Sequence, residues 1–257
     1  MSYHIIIPAR YASARLPGKP LRVIAGQPML AHVIESARHS AAARIIVATD
    51  DQRIADAAAA LGVECCMTSV SHNSGTERIH EVIETCKLAD DTVIVNMQGD
   101  EPLMPASCLD QLGLALAQDP HAEMATLSAP IENMQELFDP NVVKLVCDET
   151  GNALYFSRAP IPWERDAFMH TPPQLDSLAH FHRHIGLYAY RAGFVQQYIA
   201  WGSCELERIE SLEQLRVLYH GRKIKVVAAS EIPGPGVNTE EELQRAEQIL
   251  LQRHRLG

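Results

Sequence analysis

Hydrophobic and polar positions along this chain follow two periods in turn. Short solid apolar runs are separated by longer stretches in which apolar residues recur every three or four positions. His4-Ile5-Ile6-Ile7 is the first such run and reads as a fully buried strand. Pro28 opens a helix whose apolar face is Met29, Leu30, Val33, Ile34 and Ala37. A second buried strand covers 44–49 and ends at Asp50 and Asp51. An alanine-rich helix turns Ile54, Ala55, Ala58 and Leu61 inward and stops at Gly62, a good residue just past a helix end. A third strand spans 63–67, and the loop 72–76 then feeds a helix that buries Ile79, Val82 and Ile83. A fourth strand spans 92–96. This alternation predicts a doubly wound, mostly parallel α/β sheet with helices on both faces and right-handed crossovers.

The second half reads differently. Segments 141–147 and 153–157 are strands around Asp148-Glu149-Thr150-Gly151-Asn152, a hairpin turn. An irregular stretch carrying Pro160, Pro162, Pro172 and Pro173 leads to a strand over 183–191. Its alternation puts His184, Gly186, Tyr188 and Tyr190 on one face and Ile185, Leu187 and Ala189 on the other. Leu206, Ile209, Leu212 and Leu215 predict the apolar stripe of one helix, and 224–229 another strand. Pro233-Gly234-Pro235-Gly236 is a rigid turn. Thr239 and Glu242 form a capping box at the start of the last helix, whose Arg253, His254 and Arg255 suit the negative end of its dipole.

Charge and composition narrow the function. A net charge of −10 with no basic stripe argues against nucleic acid as a partner. A chain of 257 residues with 47% hydrophobic content can bury a full core. No apolar run approaches a bilayer span, and the start of the chain enters a strand at once, so neither membrane insertion nor a signal peptide is expected. The six cysteines lack C-x-x-C spacing and three lie in apolar segments, which predicts reduced thiols in a cytoplasmic protein. Neither G-x-x-x-x-G-K-[ST] nor G-x-G-x-x-G is present, which counts against P-loop hydrolases and nicotinamide enzymes.

Four constellations could carry chemistry. Residues 8–20 leave the carboxyl end of the first strand, where ligands bind in open α/β sheets. They bring Arg10, Arg15 and Lys19 onto one loop, stiffened by Pro8, Pro17 and Pro20 and opened at Gly18. A solvated basic turn has no need of three prolines, so a polyanion is the better reading, and a triphosphate the natural one. Asp100 follows the fourth strand beside Gly99. There it either holds Mg2+ against phosphate oxygens or caps the next helix, and a cationic loop opposite favours the metal. Ser74-Gly75-Thr76-Glu77-Arg78 offers hydroxyls and backbone N–H groups at a helix start, for a base or ribose or simply as a cap. His180, His182 and His184 could share a face for zinc, but no fourth ligand is near. His184 beside Tyr188 and the carboxylates of 205–213 fits recognition of a hydroxylated ligand better, with a structural histidine as the competing reading.

The run Pro-Ala-Arg-Tyr-Ala-Ser-x-Arg-Leu-Pro-Gly-Lys-Pro-Leu (8–21) resembles the 3-deoxy-manno-octulosonate cytidylyltransferases, or CMP-Kdo synthetases. So do Ser-Gly-Thr-Glu-Arg (74–78), Val-Asn-Met-Gln-Gly-Asp-Glu-Pro (95–102), Ala-Leu-Tyr-Phe-Ser-Arg (153–158), His-Ile-Gly-Leu-Tyr-Ala-Tyr-Arg (184–191) and Leu-Glu-Gln-Leu-Arg (212–216). The resemblance implies a single Rossmann-like nucleotidyltransferase domain over 1–257. Within it, 142–230 would include a smaller mixed α+β portion for sugar binding and dimerisation. It implies a cytoplasmic, Mg2+-dependent homodimer joining CTP to Kdo, with release of diphosphate, for lipopolysaccharide synthesis. Arg15, Lys19 and Asp100 would be catalytic. Arg10, Lys19, Ser74, Gly75, Arg78 and Gln98 would bind the nucleotide, and Arg158, His184, Tyr188, Glu213 and Gln214 the sugar acid. Asp100 and Asn238 would hold the metal. Position 238 departs from the family's Gly-Val-Asp-Thr: Gly236-Val237-Asn238-Thr239 supplies an amide oxygen without charge. Weaker metal binding, or reliance on the sugar's own carboxylate, is therefore expected. The same chemistry on a sialic acid or 8-amino-Kdo, and a silent CTP-binding protein, are the rival readings.

Overall fold

The computed structural model describes residues 2–12, 15–72, 74–170 and 174–256. Ser13 and Ala14 of the cationic loop, Pro172 and Pro173, and the side chains of His254 and Arg255 lie outside the described residues.

The first half forms as its periodicity predicts. Strand β1 (Tyr3–Pro8) is followed by the small ribbon β2 (Val23–Ile24) and β3 (Gln27–Pro28). Helix α1 (Met29–Arg38), β4 (Arg44–Thr49), α2 (Gln52–Ala60), β5 (Glu64–Met67), α3 (Gly75–Thr85) and β6 (Val93–Asn96) come next. Then follow α4 (Ala106–Gln118), β7 (Met124–Pro130), α5 (Met134–Phe138), β8 (Lys144–Cys147), β9 (Ala153–Ser157) and β10 (His182–Arg191). The chain closes with α6 (Ala192–Trp201), α7 (Glu205–Glu210), α8 (Leu215–Tyr219), β11 (Ile224–Ala228) and α9 (Glu240–Leu256).

The main sheet runs β11-β7-β10-β6-β1-β4-β5, with β8 and β9 hung from the end of β10. Neighbours β6, β1, β4 and β5 are parallel, as are β7 and β11, while β10 runs antiparallel between β6 and β7. Period-two alternation feeds two cores. Ile5, Ile7 and Val95 face α1, α2 and α4 through Leu30, Val33, Ile54, Leu109 and Leu112. Ile6, Ile46 and Ile94 face α3, α6 and α8 through Ile79, Val82, Phe194, Val195 and Leu215. Each wholly buried isoleucine of β1 contributes about 1.5–3 kcal/mol by leaving water, so the central strand is fixed from both sides.

Strand β10 keeps its predicted faces despite an interruption. Its register with β7 jumps from Ile185 opposite Leu127 to Tyr188 opposite Thr126, which leaves Gly186 and Leu187 extra. Two extra residues preserve the parity of a period-two strand, so Tyr188 and Tyr190 stay on the His184 side. The Thr126 hydroxyl, wholly buried, lies 3.1 Å from the Ile185 carbonyl and 2.8 Å from that of Leu187, at the point where the register shifts. Strand β7 itself is not evident from the pattern of residues, because Thr126 and Ser128 interrupt its apolar run while being buried.

The helix expected through Leu206, Ile209, Leu212 and Leu215 is two helices. The chain breaks at Ser211, which takes a left-handed φ of 52°, and Ile209 is left 71% exposed. The freed carbonyls find partners: Arg158 donates to those of Glu210 and Ser211, and the Tyr198 hydroxyl to that of Glu213. The hairpin turn at 148–152 is as predicted. The Asp148 carboxylate accepts from the backbone of Asn152 and Thr150 and from the Thr150 hydroxyl, which holds its carboxyl down at about 2.

Candidate active site

The loops leaving β1 and β6 meet at the carboxyl edge of the sheet. The Gly99 N–H donates to the Pro8 carbonyl at 3.2 Å, and a Cβ on Gly99 would lie 2.9 Å from that oxygen. Only glycine lets the two loops approach this closely. Gly18, at φ +66°, turns the cationic loop into a single 3₁₀ turn, Lys19–Leu21, over the ring of Tyr11. Lys19 is thereby aimed at the residue after Gly99: its Nζ donates to Asp100 Oδ2 at 2.7 Å. The same ammonium donates to the Val237 carbonyl at 2.9 Å and to Asn238 Oδ1 at 3.2 Å. Helix α4 begins at Ala106 behind Pro105, so Asp100 does not cap it.

Asn238 reaches this point from a distant part of the chain because its neighbour is anchored. Val237 is wholly buried against Leu16, Ile24, Leu103 and Leu243, and its N–H donates to the Asp100 carbonyl at 2.8 Å. The capping box predicted for the last helix then fixes the turn. Thr239 N–H donates to Glu242 Oε2, and Glu242 N–H to the Thr239 hydroxyl.

These groups line a cavity of about 440 Å3, within the range of small-molecule sites. Arg10, Arg15, Lys19, Asp100 and Asn238 line it, with Ser74, Gly75, Arg78 and Gln98 along the α3 side and Tyr188 and Glu213 on the far wall. Ser74 also caps α3, accepting from Glu77 N–H at 3.2 Å, so the cap and ligand readings are compatible. Arg78 is buried beneath, donating to Asp50 Oδ2 at 2.9 Å and to the Thr68 hydroxyl. Burial raises the pKa of the Glu213 carboxyl, with Glu207 adding to the effect. Burial also holds the Tyr188 and Tyr190 hydroxyls protonated far above their ordinary value. Among the described residues no group of three His, Cys, Asp or Glu side chains could hold a metal. The oxygens around Lys19 are instead one carboxylate, one amide and one backbone carbonyl, hard donors of the kind Mg2+ takes together with substrate phosphates. A cation already sits among them, in the form of the lysine ammonium.

Three residues expected at the sugar do not line this cavity. Arg158 spends its guanidinium on the carbonyls of Glu210, Pro140 and Ser211. His184 packs between Phe156 and Tyr188, with ring centroids at 5.1 and 5.4 Å, and its Nε2 lies 2.8 Å from the Thr126 hydroxyl. That hydroxyl's proton goes to a carbonyl, which can only accept, so Nε2 is the donor, as it is in the Nε2–H tautomer of a neutral ring. Burial agrees, lowering the His184 pKa to about 3. Gln214 is buried behind Glu213 with its Nε2 unpartnered. Sequence reasoning passed over His72, Asn96 and Tyr190, which do line the cavity. Asn96 had a signal: it is a buried polar residue closing the run Val-Ile-Val. Tyr190 had another, two positions beyond Tyr188 on the same face.

The protein-family model described as cytidylyltransferase matches residues 4–224. A 3-deoxy-manno-octulosonate cytidylyltransferase of Pseudomonas fluorescens is 54% identical over 249 residues, which span 97% of this chain and 98% of that protein. A solved CMP:2-keto-3-deoxy-manno-octonic acid synthetase complexed with CTP superimposes with a TM-score of 0.88. It is 38% identical, over 98% of this chain and 100% of the other. A 4-diphosphocytidyl-2C-methyl-D-erythritol synthase, 13% identical over 97% of this chain and 99% of the other, shares the fold with a TM-score of 0.63.

Proposed function

Because the chain belongs to the cytidylyltransferase family and closely matches its Kdo-activating members over nearly its whole length, we propose that the cavity between Lys19 and Glu213 is where it works. The chain is a nucleotidyltransferase that joins CTP to 3-deoxy-manno-octulosonate (Kdo), giving CMP-Kdo and diphosphate for lipopolysaccharide synthesis. The anomeric hydroxyl of Kdo attacks the α-phosphorus and gives up its proton to solvent, a new P–O bond forms, and the bond to the β-phosphate oxygen breaks as diphosphate leaves. No covalent enzyme intermediate is needed. Rate enhancement then comes from holding the two substrates in line and neutralising charge on the reacting phosphate.

The observation that carries the site assignment is the convergence of Lys19 and Asp100, 81 positions apart in sequence, at 2.7 Å in one cavity. Arg10, Arg15 and Lys19 bind the triphosphate, with Arg15 and Lys19 meeting charge that develops during transfer. Ser74, Gly75, Arg78 and Gln98 surround the cytidine, and Arg78 does so as a rigid floor pinned to Asp50. Tyr188 and Glu213 face the sugar acid. Arg158, His184 and Gln214 act on it from behind, by fixing the 210–214 turn and the Tyr188 ring. Asp100 and Asn238 would hold Mg2+, which when bound supplies neutralising charge to the phosphate oxygens.

A homodimer fits the apolar surface of the 142–230 portion. Trp163 and Met169 are exposed there, the Trp163 ring standing edge-on to Phe168 and Phe138 packing on the same ring, and a second copy would bury them. No helix among the described residues is long and apolar enough to cross a membrane.

Diphosphate release from CTP and Mg2+, measured with Kdo, 8-amino-Kdo and a sialic acid as acceptors, tests this function. Release with Kdo as the best acceptor is expected. Release only with another acceptor would reassign the sugar, and CTP binding without release from any acceptor would make the chain a silent binder.

A further inference from the structure

Lys19 lines the cavity with its ammonium turned onto the wall. An ammonium has three N–H donors, and here all three have acceptors: Asp100 Oδ2, the Val237 carbonyl and Asn238 Oδ1, at 2.7, 2.9 and 3.2 Å. Its side chain is only 14% exposed, so the contacts are shielded from water. The Arg15 guanidinium adds a weaker bond to Asn238 Oδ1 at 3.4 Å. Two fixed positive charges therefore face one carboxylate, and the residue that could have supplied a second negative charge, at 238, is an amide.

We propose that Lys19 is the resident counter-ion of the Asp100–Asn238 oxygens in the nucleotide-free enzyme, so that a divalent cation enters only together with the triphosphate. The inference rests on the cytidylyl-transfer reading of this cavity. A dication approaching the free protein meets a pocket whose carboxylate is already neutralised, and it has to displace an ammonium held by three acceptors. Polyanionic triphosphate changes both conditions. It offers Lys19 new acceptors, which frees the Asp100 and Asn238 oxygens, and it brings the negative charge that the protein lacks. Nucleotide and metal then strengthen each other's binding through one lysine that changes partners, which is a reciprocal coupling between two ligands. Asn238 sets this behaviour, since an aspartate there would cancel the excess positive charge that Lys19 and Arg15 present to an incoming dication.

The test titrates Mn2+ into nucleotide-free enzyme and follows unbound Mn2+ by its paramagnetic resonance signal. Wild type, Lys19→Met and Asn238→Asp are compared, with circular dichroism to confirm folding. Each variant shifts the local charge by one unit, and each is expected to bind Mn2+ about tenfold or more tightly than wild type. Lys19→Met binding no more tightly than wild type would overturn the counter-ion role. If that variant fails to fold, Asn238→Asp decides: equal Mn2+ affinity in Asn238→Asp and wild type overturns the proposal. Diphosphate release from CTP and Kdo by the same wild-type preparation separates the two levels. Release together with unchanged Mn2+ affinities defeats the counter-ion and leaves the reaction standing, whereas no release defeats the reaction on which it rests.

Discussion

Gly99 lies directly on Pro8: the glycine N–H meets the proline carbonyl at 3.2 Å, and a Cβ there would come within 2.9 Å of the same oxygen. This contact joins the loop that carries Lys19 to the loop that carries Asp100. Alanine at 99 would push backbone against backbone, where no side chain can rotate away. Gly99→Ala is expected to lower kcat/KM for CTP by about tenfold to a hundredfold through misplacement of the two loops. The cost in stability should be modest, about 1–3 kcal/mol as for other overpacking changes. Steady-state kinetics beside urea denaturation would check it, and unchanged kinetics would show that the close approach is not needed for turnover.

Lys19→Ala removes a charge aimed at phosphate while leaving Asp100 partly hydrated, at 29% side-chain exposure. We expect normal folding and a loss in turnover on the order of 10²-fold or more, because losing a charge that acts mainly in the transition state lowers kcat rather than raising KM. A near-native rate in this variant would take the loop out of the mechanism.

Much of this was legible in the chain because the physics is local. Strands β1, β4 and β6 are solid apolar runs, and the helices between them carry one apolar face, so the sheet edge that holds 8–20 and 97–101 could be placed without coordinates. The capping box at Thr239 and Glu242 and the turn at Asp148 were legible for the same reason. What escaped depends on partners far away in sequence. Strand β7 hides because Thr126 and Ser128 look exposed until β10 supplies carbonyls for the buried threonine. The break at Ser211 hides because Leu206, Ile209, Leu212 and Leu215 keep helical spacing across it, while Arg158, from β9's end, donates to the turn's carbonyls. The same contact explains why Arg158, with its charge turned to the Glu210 and Ser211 carbonyls, does not line the cavity. That Arg78 serves the fold as well as the site was likewise invisible, since its partner Asp50 belongs to another βα unit.

The Arg78–Asp50 pair gives a stability prediction. Both side chains are nearly dry, at 4% and 14% exposure, so removing one charge strands the other in the protein interior. Arg78→Met should cost about 3–5 kcal/mol of unfolding free energy. The double variant Arg78→Met with Asp50→Asn should recover part of it, because no lone charge then remains. Chemical denaturation without nucleotide isolates this from any effect on binding; a loss under about 1 kcal/mol would mean that the pair is dispensable to the fold.

His184 gives a pH prediction whose sign is fixed by its surroundings. Its pKa falls from 6.5 to about 3 because burial between Phe156 and Tyr188 disfavours the imidazolium. Between those two values the unfolded chain binds a proton that the folded protein does not, so stability rises with pH across this window. The contribution is present in full above pH 6.5 and is lost as the pH falls toward 3. One proton yields a slope of up to about 1.4 kcal/mol per pH unit. His184→Gln, which keeps a side-chain donor for Thr126, should flatten the wild-type dependence of unfolding free energy between pH 6.5 and pH 4, where the histidine's window lies. The pH–rate profile of the wild type should show no inflection from this ring at neutral pH, since it is already neutral there. Urea denaturation at stepped pH measures the first expectation, and identical slopes in the two proteins would place the titrating proton on a different group.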